Sequence, residues 1–203
     1  MNIYMVIFVL ISFVLLCIFI RPKYQEPYVI RNVFTDKTCD HIIELASNNL
    51  KPSTIALGKS VDTTKRKSET AWLDPNKSEV VEDVMGKCVS FTDRQFDNAE
   101  YLQVLKYKPG GFYEPHQDAF RDGKNPRLYT CIIGLNDGYE GGETSFPVLG
   151  KEYKLNKGDV LLFNTLNDWG FMTNKAIHGG KPVISGEKWI CNLWIHRYPY
   201  ELS

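Results

Sequence analysis

The first feature of the chain is an uninterrupted apolar run. Residues 3–20 contain no charged side chain and are dominated by Ile, Val, Leu and Phe, and Arg21, Pro22 and Lys23 end the run. A helix of this length would be about 27 Å long, close to the hydrocarbon thickness of a bilayer. A cleaved signal peptide is the alternative, but no basic region precedes the run and no small-residue cleavage pattern follows it. The pattern predicts a transmembrane anchor over residues 1–20 and a linker over residues 21–30.

Two helices are predicted in the segment that follows. A threonine at position 35 or 38 can cap a helix that runs to about residue 49. A second helix is predicted after Pro75, because apolar residues recur there at three- and four-residue steps. Between them, residues 51–68 are polar, rich in lysine and aperiodic, which predicts a mobile loop. We interpret residues 35–97 as a helical support.

From Glu100 onward the pattern changes to short β-rich runs separated by Gly, Asn, Asp and Pro. These runs cover residues 101–107, 128–135, 160–164 and 189–196. Many short strands with glycine-rich turns favour a sandwich or jelly roll. We therefore predict an α+β, mainly β fold for a domain over residues 31–203, with its β core at 98–198.

Charge and cysteine content narrow the function classes. Lysine plus arginine (24) balances aspartate plus glutamate (24), which argues against a nucleic-acid-binding protein. The five cysteines contain no CxxC pair, so a thiolate zinc site is not expected. Cys131 and Cys191 fall inside strand-like runs and are predicted to be core residues. Pairing of Cys39 with Cys88, and with it the redox compartment, stays open.

The candidate chemistry begins with the pair His116 and Asp118. Residues two apart on a strand point to the same face, so both side chains can approach one ion. With His178 as a distant third ligand they would form the two-histidine, one-carboxylate triad that leaves coordination positions open. Lys188 follows ten residues later in a strand-like run. A buried lysine is costly unless it meets an anion, and a dicarboxylate co-substrate would supply one.

With these motifs the chain resembles the prolyl 4-hydroxylase family of Fe(II)/2-oxoglutarate dioxygenases. The resemblance covers about residues 97–198 and depends on six segments in order, with RKSETAWL at 66–73 as a weaker seventh. The six are Tyr107-x-x-Gly110-x-x-Tyr113-x-x-His116-x-Asp118, Arg127-x-x-Thr130, GGETSFP at 141–147, GDVLLFN at 158–164, HGGKPVISGEKW at 178–189 and LWIH at 193–196.

The resemblance implies a double-stranded β-helix and a role for each matching residue. His116, Asp118 and His178 match the Fe(2+) ligands, and Lys188 matches the base that pairs with the distal carboxylate of 2-oxoglutarate. The positions that match the co-substrate pocket are Tyr107, Thr130 and Trp194. The positions that match the peptide-facing side are Arg127 and His196. The implied cofactor and co-substrates are Fe(2+), 2-oxoglutarate and O2, with L-ascorbate as the reductant.

The expected activity is hydroxylation of a peptidyl substrate, above all proline to 4-hydroxyproline, while 2-oxoglutarate becomes succinate and CO2. Three alternatives stay open: a 2-oxoglutarate oxygenase for another amino acid or a small molecule, a membrane-tethered jelly-roll binding module, and a zinc hydrolase. The expected partners are a peptide or protein substrate, including proline-rich ones, and the membrane. The expected localisation is single-pass in a membrane, by resemblance that of the endoplasmic reticulum, and the oligomeric state is open. The two basic residues after the apolar run weakly favour a cytoplasmic domain.

Overall fold

The computed structural model describes residues 3–8, 10, 21–55, 60–120 and 124–201. The predicted membrane anchor lies largely outside these residues, and the part of it that is described is helical. Among the described residues no helix has both the length and the apolarity that crossing a bilayer needs. This finding contradicts the predicted single-pass localisation in the endoplasmic reticulum membrane, and it gives no support to the membrane as a partner.

Two helices support the sheet that carries the site. Helix α1 is Asp36–Ser47 and helix α2 is Glu79–Val89. The Thr35 side chain caps α1 by accepting a hydrogen bond from the amide of Thr38 at 3.2 Å. Residues at three- and four-residue spacing form the buried faces of both helices, so each helix packs one apolar side on the sheet.

The described part of the chain contains fourteen strands. They are β1 (Tyr28–Ile30), β2 (Lys51–Pro52), β3 (Arg66–Lys67), β4 (Glu69–Leu73), β5 (Leu102–Tyr107), β6 (Phe112–His116), β7 (Arg127–Gly134), β8 (Tyr139–Gly141), β9 (Thr144–Phe146), β10 (Lys151–Tyr153), β11 (Val160–Asn164), β12 (His178–Gly180), β13 (Val183–Gly186) and β14 (Lys188–His196).

The strands form two main antiparallel sheets in a jelly-roll arrangement. The major sheet has the order β1-β11-β7-β14-β5-β4-β2, and the minor sheet has the order β10-β9-β12-β6-β3. A two-stranded ribbon, β13-β8, accompanies them. The long strand β14 pairs with β5 on one side and with β7 on the other, so it lies at the middle of the major sheet.

Both faces of the major sheet are buried, each in its own apolar cluster. On β14, Cys191 and Leu193 pack towards the helices, while Ile190 packs towards the minor sheet. The second cluster also contains Phe146 and Phe163, and it fills the space between the two sheets. Because successive side chains of a strand alternate between faces, residues 188, 190, 192, 194 and 196 of β14 share the face that looks at the minor sheet.

The structure differs from the sequence prediction in the support region. Residues 35–97 are not purely helical, because three strands lie between the helices. Strands β2 and β4 belong to the major sheet, and β3 belongs to the minor sheet. Residues 51–68, expected to be a loop, contain β2, β3 and a bridge between Ile55 and Ser60. These strands are two residues long at the sheet edges, so too few positions alternate to reveal them in a sequence.

Two further sequence predictions concern the linker and the cysteines. The end of the predicted linker forms β1, which pairs with β11, so the linker ends before Tyr28. The four cysteines of the described residues are buried free thiols, so Cys39 and Cys88 are not paired. Burial raises the pKa of Cys39 to about 11. Cys131 and Cys191 lie in the core cluster, as predicted.

Candidate active site

Two facing strands of the minor sheet bring the three predicted ligands together. His116 is the last residue of β6, and His178 is the first residue of β12 and its direct partner across the ladder. Gly179 allows the two strands to approach closely, because a Cβ at this position would lie 2.8 Å from the Tyr113 carbonyl oxygen. Asp118 follows β6 by two residues and turns into the same space. The potential ligand atoms of the three side chains lie within 4.8 Å of one another.

The distances within this cluster suit one shared metal ion. The Nε2 atom of His116 lies 3.6 Å from Oδ1 of Asp118, and the Nε2 atom of His178 lies 3.5 Å from Oδ2. Both Nε2 atoms therefore face the carboxylate from different sides. Asp118 and His178 are buried, whereas His116 is partly open to a neighbouring cleft. Two imidazoles and one carboxylate on one side of an ion are the donor set of non-haem iron sites.

Hydrogen bonds on the far side of the ligands fix how they point. The Nδ1 atom of His116 lies 2.8 Å from the Glu114 carbonyl oxygen, and that of His178 lies 3.1 Å from the Ala176 carbonyl oxygen. A carbonyl can only accept, so each Nδ1 carries the proton and each Nε2 lone pair is free for a metal. Thr130 donates a hydrogen bond of 2.7 Å to Oδ2 of Asp118. Thr130 therefore helps to fix the orientation of the Asp118 carboxylate.

The electrostatics keep Asp118 and His178 in their metal-binding forms near neutral pH. Burial alone would raise the pKa of Asp118, but His178, His116 and Arg127 nearby hold it well below its usual range. Burial lowers the pKa of His178 to about 4, so its imidazole is neutral. A carboxylate and neutral imidazoles are the states that coordinate a divalent cation. The residues present therefore fit the metal.

Lys188 is a buried cation at one end of the space between the sheets. Its Nζ donates to the Gly142 carbonyl oxygen at 2.6 Å and lies 5.4 Å from the centre of the Tyr107 ring. Within the described ranges no carboxylate lies at ion-pairing distance from it. Burial lowers the pKa of Lys188 to about 8. The Glu143 carboxylate acts on Lys188 from beyond ion-pairing distance and only partly offsets the effect of burial on its pKa. A buried ammonium without a direct ion pair is suited to bind a carboxylate.

Aromatic side chains connect the apolar enclosure around Lys188 to the metal cluster. Phe163 lies against the His178 ring with ring centres 4.6 Å apart, and Phe146 lies 5.5 Å from the same ring. Both phenylalanines belong to the apolar cluster that also contains Tyr107, the direct neighbour of Lys188 across the ladder. Gly142, at φ 66°, leaves room for the Lys188 stem, since a Cβ there would lie 3.1 Å from Lys188 Cδ. Lys188 and the metal ligand His178 therefore both border the same apolar cluster, Lys188 through Tyr107 and His178 through Phe146 and Phe163.

The other side of the metal cluster opens into a cleft of about 470 Å³. Its walls include His116 and Asp118, together with Arg127, Trp194 and His196. Trp194 thus lies in the cleft, six residues along β14 from Lys188, rather than beside the lysine. The roles that the sequence suggested for Tyr107, Thr130, Trp194, Arg127 and His196 remain predictions, which these positions now make specific.

Glu100 organises the charged wall of the cleft and was missed in the sequence. Its carboxylate accepts from Nε and Nη2 of Arg127 at 2.5 and 2.9 Å, and from Nε2 of His196 at 2.7 Å. The Arg127 guanidinium also stacks 3.8 Å from the centre of the Trp194 ring. Burial would raise the pKa of Glu100, but its partners His196 and Arg127 hold that pKa below its ordinary value. In the sequence, the signal for this role was that Glu100 is a single carboxylate at the start of an otherwise apolar, strand-like run.

Two more residues of the cleft lacked an assigned role in the sequence. Tyr113 stacks on the His116 ring with ring centres 3.7 Å apart, and the Arg66 guanidinium lies 4.5 Å from the centre of the Tyr113 ring. Tyr113 stands three residues before a ligand in the motif, and Arg66 begins the weakly matching segment. Both signals existed, but neither revealed the stack of arginine, tyrosine and histidine.

A jelly roll that holds two histidines on facing strands, with a carboxylate just beyond one of them, has the site architecture of a non-haem iron oxygenase. Known proteins agree with this class. The family model described as the 2OG-Fe(II) oxygenase superfamily matches residues 102–196. A relative from Acanthamoeba polyphaga mimivirus, whose name describes it as a prolyl 4-hydroxylase, is 34% identical over 86% of this chain and 76% of its own length. Prolyl 4-hydroxylase 5 of Arabidopsis thaliana is 33% identical over 86% of this chain and 69% of its own length.

A solved structure extends the comparison to the fold. The viral collagen prolyl hydroxylase of Paramecium bursaria Chlorella virus-1, in its 2-oxoglutarate complex, superposes with a TM-score of 0.71 at 31% identity. The match covers 86% of this chain and 97% of that one. The chain therefore belongs to the prolyl 4-hydroxylase family of 2OG-Fe(II) oxygenases. It is a 2-oxoglutarate-dependent dioxygenase that uses Fe(2+), 2-oxoglutarate and O2, and the predicted fold class, enzyme class and cofactors are confirmed apart from the transmembrane helix.

Proposed function

We propose that this enzyme hydroxylates a prolyl residue of a peptide to 4-hydroxyproline, while 2-oxoglutarate is converted to succinate and CO2. The observation that carries the proposal is the position of the metal cluster between two different environments. On one side is the apolar cluster that borders the buried Lys188, and on the other is the open cleft whose walls include Arg66 and His196. A small dicarboxylate suits the first, and an extended chain suits the second. The named activities of the relatives point to proline as the residue that enters the cleft.

In this proposal each residue of the site has a defined task. His116, Asp118 and His178 hold the metal, and their hydrogen bonds to main-chain carbonyls and to Thr130 keep them in place. The Lys188 ammonium binds the distal carboxylate of 2-oxoglutarate, with Tyr107 beside it. Bound iron and 2-oxoglutarate supply the oxidising chemistry that activates O2 and hydroxylates an unactivated carbon. Phe146 and Phe163 exclude water from the co-substrate side of the metal.

The cleft residues position the peptide. Arg127 and Trp194 form a rigid stacked wall, and Glu100 fixes the arginine, so a chain lying in the cleft meets a surface with little freedom left to lose. Such preorganisation brings the target carbon to the metal in one orientation. His196 completes this wall. Thr54 and Ile55, which follow strand β2, also line the cleft.

The test is direct hydroxylation of peptides. The purified protein is incubated with Fe(2+), 2-oxoglutarate, ascorbate and a panel of proline-containing peptides, and each product is examined by mass spectrometry with fragmentation. We expect the mass gain of one oxygen atom on proline, with equimolar succinate, and no gain without 2-oxoglutarate. The Asp118→Ala variant is the negative control. Oxygen found on a different residue, or only on small molecules, would replace the proposed substrate.

A further inference from the structure

The cleft contains polar atoms that the protein leaves without partners. Among the described residues, four buried side-chain atoms have no hydrogen-bond partner: Arg66 Nη2, Gln117 Oε1, Asn192 Oδ1 and Trp194 Nε1. All four residues line the cleft beside the metal cluster. Buried polar groups are nearly always paired in proteins, so four exceptions around one cleft indicate a surface built to hydrogen-bond a ligand. Arg66 and Trp194 are each more than nine-tenths buried.

These atoms offer both donors and an acceptor. Arg66 Nη2 and Trp194 Nε1 can only donate, and carbonyl oxygens of a peptide backbone could accept from them. The other Arg66 nitrogens are occupied, because Nε donates to the Ser68 hydroxyl at 3.1 Å and Nη1 to the Thr54 carbonyl at 3.2 Å. The free nitrogen is therefore held in a fixed direction by its own neighbours.

The acceptor is most sharply defined at Gln117. Its amide nitrogen donates to the Thr173 carbonyl oxygen at 2.7 Å, and only the nitrogen of the amide can make that bond. The orientation of the amide is thus fixed, with Oε1 as the free atom. Asn192 is less informative, because it contacts another amide, Gln103, at 3.4 Å, and exchanging nitrogen and oxygen in both groups would give the same contact. Gln117 also stands between two metal ligands in the sequence, so its partner must lie close to the reacting residue.

A main-chain N–H of a bound peptide can satisfy this acceptor, and proline does not have one. Every residue of an uninterrupted proline run offers a carbonyl but no donor, so such a run would leave Gln117 Oε1 unpaired. A residue other than proline beside the target supplies the missing N–H. Because Oε1 is already buried and unpaired in the free protein, a peptide with this N–H gains a hydrogen bond that a proline run cannot form.

We propose that Gln117 makes the enzyme selective for peptides in which a residue directly beside the target proline carries a main-chain N–H. Peptides that alternate proline with another residue are then better substrates than uninterrupted proline runs. Arg66 and Trp194 hold the backbone carbonyls of the same segment. This inference rests on the proposed function and specifies its substrate class.

The experiment removes one N–H at a time from the substrate. Dissociation constants of an alternating alanine–proline peptide and of two analogues, with N-methylalanine directly before or directly after the central proline, are measured by calorimetry. The holoenzyme is used without oxygen, so that no turnover occurs. We expect one analogue to bind about tenfold more weakly to the wild-type protein, which is the effect of one buried hydrogen bond of typical strength. Oligoproline of equal length should bind as weakly as that analogue.

The variant Gln117→Met assigns the effect to this side chain. It removes the acceptor while keeping a side chain of similar length. The parent peptide and the weakly binding N-methyl analogue should therefore bind to this variant within about a factor of two of each other. Gln25→Met is the matched control, since Gln25 is exposed and outside the cleft, and it should keep the full tenfold difference. The comparison of peptides on the wild-type protein stands even if Gln117→Met fails to fold.

The outcomes separate this inference from the proposed function. Equal binding of all the peptides to the wild-type protein, or an undiminished N-methyl effect in Gln117→Met, would overturn the selectivity while hydroxylation of proline could still be observed. If the wild-type enzyme hydroxylates proline in none of the peptides in air, although it converts 2-oxoglutarate to succinate, the proposed function itself fails and the selectivity fails with it.

Discussion

Two buried cations flank the metal cluster, and the protein treats them in opposite ways. Arg127 lies in the cleft and is fully matched by Glu100, which accepts two of its hydrogen bonds. Lys188 lies in the apolar enclosure and has only a main-chain carbonyl as its hydrogen-bond acceptor. Removing a charge from water is costly for both residues. Among the described residues, only Arg127 has an ion pair that offsets this cost.

The difference separates a structural cation from a binding one. A guanidinium whose charge is already neutralised can shape a surface, but it has little attraction left for an anion. An ammonium without a counterion destabilises the empty protein and recovers that energy when a carboxylate arrives. The enclosure therefore suits a charged co-substrate, whereas the cleft suits a neutral chain recognised by shape and hydrogen bonds.

The largest expected effect comes from removing the element that both regions share. Asp118→Ala should abolish iron retention and all conversion of 2-oxoglutarate, because two imidazoles alone do not hold Fe(2+) tightly. Iron content by metal analysis and succinate release are the measurements. The exposed Asp137→Ala is the matched control and should behave as wild type. An Asp118→Ala protein that retained stoichiometric iron would remove Asp118 from the ligand set.

Replacing Lys188 by a neutral residue should weaken 2-oxoglutarate binding and stabilise the metal-free protein. Lys188→Met should raise the KM for 2-oxoglutarate about a hundredfold, since a buried ion pair is lost. The same change should stabilise the metal-free protein by up to about 3 kcal/mol, because lowering the pKa of Lys188 from 10.5 to about 8 reflects a charge that burial disfavours. Kinetics and urea unfolding measure the two effects. Lys181→Met, at an exposed ion pair, should change neither; an unaltered KM in Lys188→Met would contradict the assigned role.

Breaking the paired cation should act in the opposite direction. Glu100→Gln leaves Arg127 buried with no carboxylate and should cost about 3 kcal/mol in the free energy of unfolding. The peptide KM should rise, and the KM for 2-oxoglutarate should stay near its wild-type value, because the enclosure is untouched. Urea unfolding and steady-state kinetics with each substrate test this contrast. A Glu100→Gln protein as stable as wild type would show that the cleft network adds no stability.

The smallest effect is a pH dependence that belongs to the unpaired cation alone. Below a pKa of about 8 Lys188 carries the charge that attracts 2-oxoglutarate, and above it the charge is lost. The kcat/KM for 2-oxoglutarate should therefore fall by about tenfold for each pH unit above 8, while kcat at saturation falls less. In Lys188→Arg the decline should disappear, because a guanidinium stays protonated over this range. A flat kcat/KM profile in the wild type between pH 7 and 10 would argue against a depressed lysine pKa.

The same depressed pKa has a consequence for the empty protein. Between pH 8 and 10.5 the unfolded chain binds a proton at Lys188 that the folded chain does not, so this group makes the metal-free fold more stable as pH rises through that window. Below pH 8 its full destabilising effect is present. Unfolding of the metal-free wild type and Lys188→Met should therefore differ most at neutral pH and converge towards pH 10.5.

Parts of the fold were predictable because they repeat a period. The apolar faces of α1 and α2 and the long strands β5, β7, β11 and β14 are long enough to show one. Short edge strands such as β2 and β3 are not, because two residues are too few to show an alternation.

The candidate site divides in the same way. The sequence by itself indicated His116 and Asp118 as a pair, because residues two apart on a strand share a face, and the motif resemblance added His178 and Lys188. The pairing of β6 with β12 in the folded chain brings His178 to this pair. Only the tertiary structure decided which charges are matched. Glu100 is distant in sequence from Arg127 and His196, and the free oxygen of Gln117 depends on a carbonyl 56 residues away. Pairing depends on contacts between remote segments, and no local pattern records them.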